Sequence, residues 1–192
     1  MNRQPTSIET TRQKTIKLAT MGMLVAISIV LLMIIRIPFP PAPFLEYDPA
    51  DIPIMFGTFA FGPLAGLILT VITSLVQGIT VSAASGPYGI LMHIISTGTF
   101  VLVAGLIYRR KKTRKAALIS LICGALAMIA IMIPANILIT PLFMGTPTNA
   151  VIAMILPVIL PFNALKSGIN AAIVLVLYNI LHNVIIKYLN TN

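Results

Sequence analysis

The sequence predicts an all-α integral membrane protein of six transmembrane helices, with a re-entrant extracellular loop after the first. Three observations lead there: composition, the lengths of the apolar runs, and the placement of the positive charges. Of 192 residues, 58% are hydrophobic and only 9% charged, with a mean hydropathy of +1.01. A soluble domain carries about 25% charged residues and cannot hide so much apolar surface. The long apolar stretches run near 17–35, 52–80, 88–108, 116–139 and 158–187, and most reach the roughly 20 residues needed to cross a bilayer. The expectation is one transmembrane domain over 1–192, with residues 1–16 as a cytoplasmic tail and no room for a separate catalytic or nucleotide-binding domain. The first run follows a basic tail as a signal peptide would. It is too long for a typical h-region and lacks a small-x-small cleavage site, so it reads as a retained helix.

The formal charge of +9 would point to nucleic acid in a soluble chain; here it sets topology. Arg3, Arg12, Lys14 and Lys17 form one cluster, and Arg109, Arg110, Lys111, Lys112, Arg114 and Lys115 another. Together they hold ten of the thirteen basic residues. The positive-inside rule places both in the cytoplasm, so an even number of crossings separates them. Five spans break that parity. Splitting 52–80 at Phe61-Gly62-Pro63 restores it, because Gly62 permits a tight turn and Pro63 suits a first helical residue. The helices then lie near 17–35, 52–61, 63–80, 88–108, 116–139 and 158–187, with both termini cytoplasmic. The piece 52–61 makes only about 15 Å of helix, half a bilayer. It works only if the loop before it dips into the protein, which backbone buried in protein or lining a cavity can do. Residues 36–51, 81–87 and 140–157 face outward as loops rich in Pro and Gly, a composition suited to turns. No internal repeat marks a self-sufficient alternating-access carrier.

Polar residues collect at the outward end. Glu46, Asp48 and Asp51 are three of the four acidic residues, in Phe44-Leu-Glu-Tyr-Asp-Pro-Ala-Asp-Ile-Pro53. Asp51 reads as a helix N-cap. Glu46, Tyr47 and Asp48 read as binding residues, since the segment is unusually aromatic and apolar for a free loop. In the last helix Asn163, Lys166 and Asn170 are spaced i, i+3, i+7 and share a face, with Ser167 on its flank. A lysine near mid-membrane costs about 2.5–3.5 kcal/mol. Lys166 lies close enough to the helix start that snorkelling to the surface is the competing account; two asparagines on its face favour a ligand-facing row. Gln77, Tyr88, His93 and Asn136 fall at the same depth. Each taken alone suits an interhelical hydrogen bond, but together they outline a pocket lidded by the first loop, holding a neutral or weakly charged molecule.

Absences narrow the chemistry. No P-loop sequence is present, so the chain hydrolyses no ATP by that route. His93 and His182 are too few and too far apart for a metal site, and the lone Cys123 excludes an intrachain disulfide. No carboxylate is expected to be buried within a helix, as a proton-coupled carrier would require. The chain binds something yet carries no energy source, so another subunit must supply it.

Asp48-Pro-Ala-Asp-Ile-Pro53 leading into the second helix, and Phe61-Gly-Pro-Leu-Ala-Gly66 at the turn into the third, resemble the substrate-binding S components of energy-coupling factor (ECF) transporters, and among these the riboflavin-specific members. The resemblance covers nearly the whole chain. It implies six helices, a first loop folding over the substrate, and riboflavin bound between that loop and the outer ends of the last three helices. It also implies a complex with a transmembrane coupling protein and two ATP-binding subunits, and no cofactor. The family's docking motif on the first helix is Ala-x-x-x-Ala; the nearest match here is Gly22-x-x-x-Ala26, with glycine in the first place. Small residues at that spacing still let another helix approach closely. Riboflavin also suits the pocket read from the residues: a flat ring needs an apolar slot, its edge needs donors such as Asn and Lys, and its ribityl hydroxyls need acceptors such as Glu46 and Asp48. The competing expectations are an S component for another vitamin, such as thiamine or biotin, and a small intramembrane enzyme. Cationic thiamine argues against a pocket holding Lys166, and an enzyme would need paired acid–base or metal groups that the sequence does not offer.

Overall fold

The computed structural model describes residues 7–181 and 183; Arg3, His182 and the expected helical stretch 184–187 lie outside the described residues. The chain is predominantly helical. In order it forms α1 (Ser7–Ile34), a hairpin of β1 (Ile37–Phe39) and β2 (Ala42–Tyr47), α2 (Asp51–Phe61), α3 (Pro63–Ile79), a single 3-10 turn (Ala83–Ser85), α4 (Gly86–Tyr108), α5 (Arg114–Met144), α6 (Thr148–Met154), a π turn (Ile155–Ile159) and α7 (Leu160–Leu181). Among the described residues, four helical stretches are long and apolar enough to cross a membrane: Thr11–Ile34, Ala83–Tyr108, Arg114–Met144 and Thr148–Ile180. Two shorter apolar helices, Asp51–Phe61 and Pro63–Ile79, lie between the first and second of these.

The break between α2 and α3 is a backbone event. Gly62 sits at φ 94°, a conformation that costs any residue with a Cβ, and Pro63 then opens α3 with its fixed φ. The α3 start packs tightly on α4: a Cβ on Gly105 would come within 2.9 Å of the Pro63 Cα, so only glycine lets the two backbones meet there.

Several boundaries differ from the sequence expectation. The helix expected from residue 17 begins at Ser7, because a polar segment continues a helix beyond its apolar part, and hydropathy registers only that part. The loop expected over 140–157 is mostly helical: α5 runs on to Met144 through Pro134 and Pro141, and α6 and the π turn fill 148–159. The first loop, expected as irregular backbone, contains an antiparallel hairpin pairing Ile37 with Tyr47 and Pro38 with Glu46.

The core runs the length of the bundle through α1–α5 and α7, from Met132 and Ile52 at one end to Tyr108 and Tyr178 at the other. At that second end the two tyrosine hydroxyls meet at 2.8 Å and Phe59 stacks on Tyr108 with centroids 4.2 Å apart, joining α2, α4 and α7. The first end is closed by the hairpin. Leu45 packs on a small cluster of Val151, Ile155 and Ile159, Phe39 meets Phe162 at 5.5 Å, and Ser28 on α1 donates to the Ala50 carbonyl at 2.9 Å.

Candidate functional site

Beneath the hairpin lies a cavity walled by α3, α4, α5 and α7, at the end of the bundle away from the basic Arg109–Arg114 connection. Its empty space is ≈ 990 Å³ when the open solvent at its mouth is included. Phe44, Met92, Met128, Met132, Phe143 and Phe162 supply most of the apolar wall. Of the residues singled out in the sequence, Glu46, Asp48, Gln77, Tyr88, His93, Asn136, Asn163 and Lys166 line it, whereas Tyr47 and Asn170 do not.

Lys166 is 7% exposed and does not snorkel. Its ammonium donates to Asp48 Oδ2 at 2.9 Å, and the other Asp48 oxygen accepts from the Ala50 N–H at 3.1 Å. The ion pair ties the segment after the hairpin to α7 and forms part of the cavity wall. An ammonium has three donors, so the bond to Asp48 leaves two for other acceptors. Glu46 is also engaged: it pairs with Arg36, whose Nε donates to Glu46 Oε2 at 2.9 Å and whose guanidinium reaches across to the Val81 carbonyl. Arg36 therefore bridges the hairpin and the α3–α4 connection at the cavity mouth. Sequence reasoning passed over it. The available signal was a lone cation at the end of α1 opposite the basic clusters, where the positive-inside rule disfavours one unless it has a partner.

The asparagines divide. Asn136 is satisfied within its own helix, donating to the Met132 carbonyl at 2.7 Å and accepting from Thr140 at 2.9 Å. Asn163 donates to the Ile159 carbonyl at 2.8 Å. Asn170 lies outside the cavity lining: it accepts from the Tyr47 hydroxyl at 3.1 Å and donates to Asp51 Oδ2 at 3.1 Å. Burial and the nearby Asp48 carboxylate raise the Tyr47 phenol from its usual 10, so it remains a donor across neutral pH. Gln77 donates to Ser82 Oγ at 3.3 Å, and its Oε1 is buried without a protein partner among the described residues.

Asp51 corrects two expectations. The α2 N-cap is Ala50, with no side-chain capping bond, so Asp51 caps nothing. It is instead a carboxylate buried at the first residue of a helix, 1% exposed, where no buried helical carboxylate was expected. Thr97 on α4 donates to its Oδ1 at 2.7 Å, and His93 Nε2 lies 3.3 Å from the same oxygen. His93 Nδ1 is 2.7 Å from Ser74 Oγ on α3. Hydroxyls such as Thr97 and Ser74 give no pattern by which sequence could single them out.

On α1, Gly22 and Ala26 are both exposed, and a Cβ on Gly22 would meet nothing within 4 Å. They lie beside exposed Met23, Ile27 and Val30, forming an open apolar stripe with two low points.

The family model described as "ECF transporter, substrate-specific component" matches residues 16–178. The chain belongs to that family. This ECF substrate-specific component is 30% identical to the riboflavin transporter RibU of Staphylococcus aureus (strain TCH60), covering 89% of this chain and 93% of that one. It is 32% identical to the riboflavin transporter FmnP of Bacillus subtilis (strain 168), covering 78% and 83% of the two chains. Its structure matches a solved one, described as the S component of a bacterial ECF transporter, with a TM-score of 0.78, 29% identity, and coverage of 88% of this chain and 97% of that chain. The family and these relatives are transporters, and the apolar helices place the chain in a membrane.

Proposed function

We propose that this ECF substrate-specific component binds riboflavin and delivers it for uptake, as the curated relatives are named to do. The observation that carries the choice of ligand is charge balance in the cavity wall. Its two carboxylates and two permanent cations are already matched, Glu46 with Arg36 and Asp48 with Lys166, and the remaining basic group of the lining, His93, faces Asp51. A cationic vitamin would find no free carboxylate there and an anionic one no free base, because a buried charge needs its own partner. A neutral molecule with an extended aromatic ring and a polar rim suits it. The apolar wall of Phe44, Phe162 and the methionines takes the ring, Lys166 and Asn163 offer donors, and the unpaired Gln77 oxygen accepts from a hydroxyl or ring N–H.

In this reading the chain is a single transmembrane domain of six crossings, α2 and α3 forming the second and third, with both termini in the cytoplasm of a Gram-positive cell. It catalyses no reaction and needs no cofactor. A coupling protein docks on the Gly22–Ala26 stripe of α1, and two ATP-binding subunits supply the energy. Purified protein in detergent is expected to quench riboflavin fluorescence at one ligand per chain, with no competition from excess thiamine or biotin. Absence of quenching, or displacement by thiamine, overturns the assignment.

A further inference from the structure

Tyr47 and Asp48, consecutive at the end of the hairpin, are each bound to α7: Asp48 to Lys166, Tyr47 to Asn170. Lys166 and Asn170 are one helical turn apart on the same face, so the lid has two adjacent attachments. They differ in one respect. Asp48 and Lys166 line the cavity, so an entering molecule can compete for their bond; Tyr47 and Asn170 do not line it.

Asp51 fixes the direction of the second attachment. An ionised carboxylate can only accept, and Asp51 accepts from Thr97 at 2.7 Å and from Asn170 at 3.1 Å. The Asn170 amide must therefore turn its nitrogen to Asp51, which leaves its oxygen toward Tyr47. The phenol in turn donates. With a neutral amide in place of the carboxylate, Asn170 loses its charged acceptor and could face either way, and in the flipped orientation Tyr47 would have to accept from the amide nitrogen in place of donating to its oxygen.

We propose that Asp51 is a positioning residue for the lid: it sets the polarity of the Asp51–Asn170–Tyr47 relay and so holds the hairpin closed at a point the ligand does not touch. The link to uptake rests on the riboflavin reading above, but the relay itself is testable in the empty protein. Ala42, on the hairpin and 2% exposed, is the reporter. In a Cys123→Ala background, which removes the native thiol, Ala42→Cys is labelled by a thiol reagent only when the hairpin lifts.

Asp51→Asn and Tyr47→Phe are each expected to speed labelling of the ligand-free protein roughly tenfold, which is 1.4 kcal/mol removed from the closed state. The double variant is expected to be no faster than either single one, because both cut the same chain of bonds. Unchanged labelling in Asp51→Asn overturns the proposal. So does additivity in the double variant, which would mean that Asp51 acts through general packing. If Asp51→Asn yields too little folded protein, Asp51→Ser takes its place in the same cycle. Riboflavin release measured by stopped-flow fluorescence is expected to accelerate in parallel. If the vitamin fails to bind but the labelling cycle holds, the choice of ligand fails and the relay stands.

Discussion

Replacing Lys166 with methionine removes a charge and keeps most of the bulk. Lys166 and Asp48 are 7% and 4% exposed, so the substitution leaves Asp48 as a buried carboxylate with one remaining donor, the Ala50 N–H. Breaking one side of a buried ion pair costs about 3–5 kcal/mol, largely because the surviving charge is stranded. Asp48→Asn in the same chain removes that stranded charge. The double variant Lys166→Met/Asp48→Asn is therefore expected to regain much of the stability lost by Lys166→Met alone, although it lacks the bond. Riboflavin affinity behaves differently. If the ammonium also donates to the flavin edge, affinity falls at least tenfold in both the single and the double variant, since about 1.4 kcal/mol is a factor of ten. Thermal unfolding in detergent reads the first quantity and fluorescence quenching the second. Equal melting temperatures for the single and double variants would show that the pair is not energetically buried. Unchanged affinity in both would remove Lys166 from the ligand site.

Two further predictions concern orientation and assembly. A cysteine placed at Thr113, the N-cap of α5, is expected to resist membrane-impermeant thiol reagents in intact cells and to label once the membrane is opened; ready labelling in intact cells would put the basic connection outside. Gly22→Leu is expected to abolish vitamin uptake and co-purification of the coupling and ATP-binding subunits while leaving riboflavin quenching within about twofold of the parent, since nothing in the chain lies within 4 Å of the added Cβ. Loss of quenching with assembly intact would reverse that assignment.

What was legible in the sequence was what repeats locally. Apolar length marked the long helices, Gly62-Pro63 marked the α2–α3 break, and helical spacing put Asn163, Lys166 and Asn170 on one buried face. What was not legible depends on partners far along the chain. Lys166 finds Asp48 118 residues away, and Asn170 finds Asp51 119 residues away. Asp51 stands where an N-cap would stand, and composition cannot separate a capping carboxylate from one aimed at another helix. Proline is ambiguous over 140–157, since it punctuates loops and is equally at home at the start of a helix. Pro147 is the residue before α6, a position that needs no helical N–H, and Pro141 and Pro157 lie inside helical turns.

The π turn at Ile155–Ile159 has a consequence for insertions and deletions. Val151, Ile155, Ile159, Asn163 and Ser167 are all buried and spaced by four. In a regular α-helix, at 100° per residue, each step of four overshoots a full turn by about 40°, and the row would wind off the inner face. A wider turn in the middle gives some of that rotation back, so Val151 can sit under Leu45 while Lys166 still meets Asp48. Removing one residue from 155–159 would leave enough chain for a plain α-helix in nearly the same phase, so that deletion is expected to be absorbed. Removing one residue elsewhere between Val151 and Lys166, where the turn is already α-helical, would swing α6 by about 100° relative to α7, and either the lid would lose its apolar seat or the lysine its carboxylate. The π turn is therefore the place in this helix that can lose a residue and still keep both ends in register.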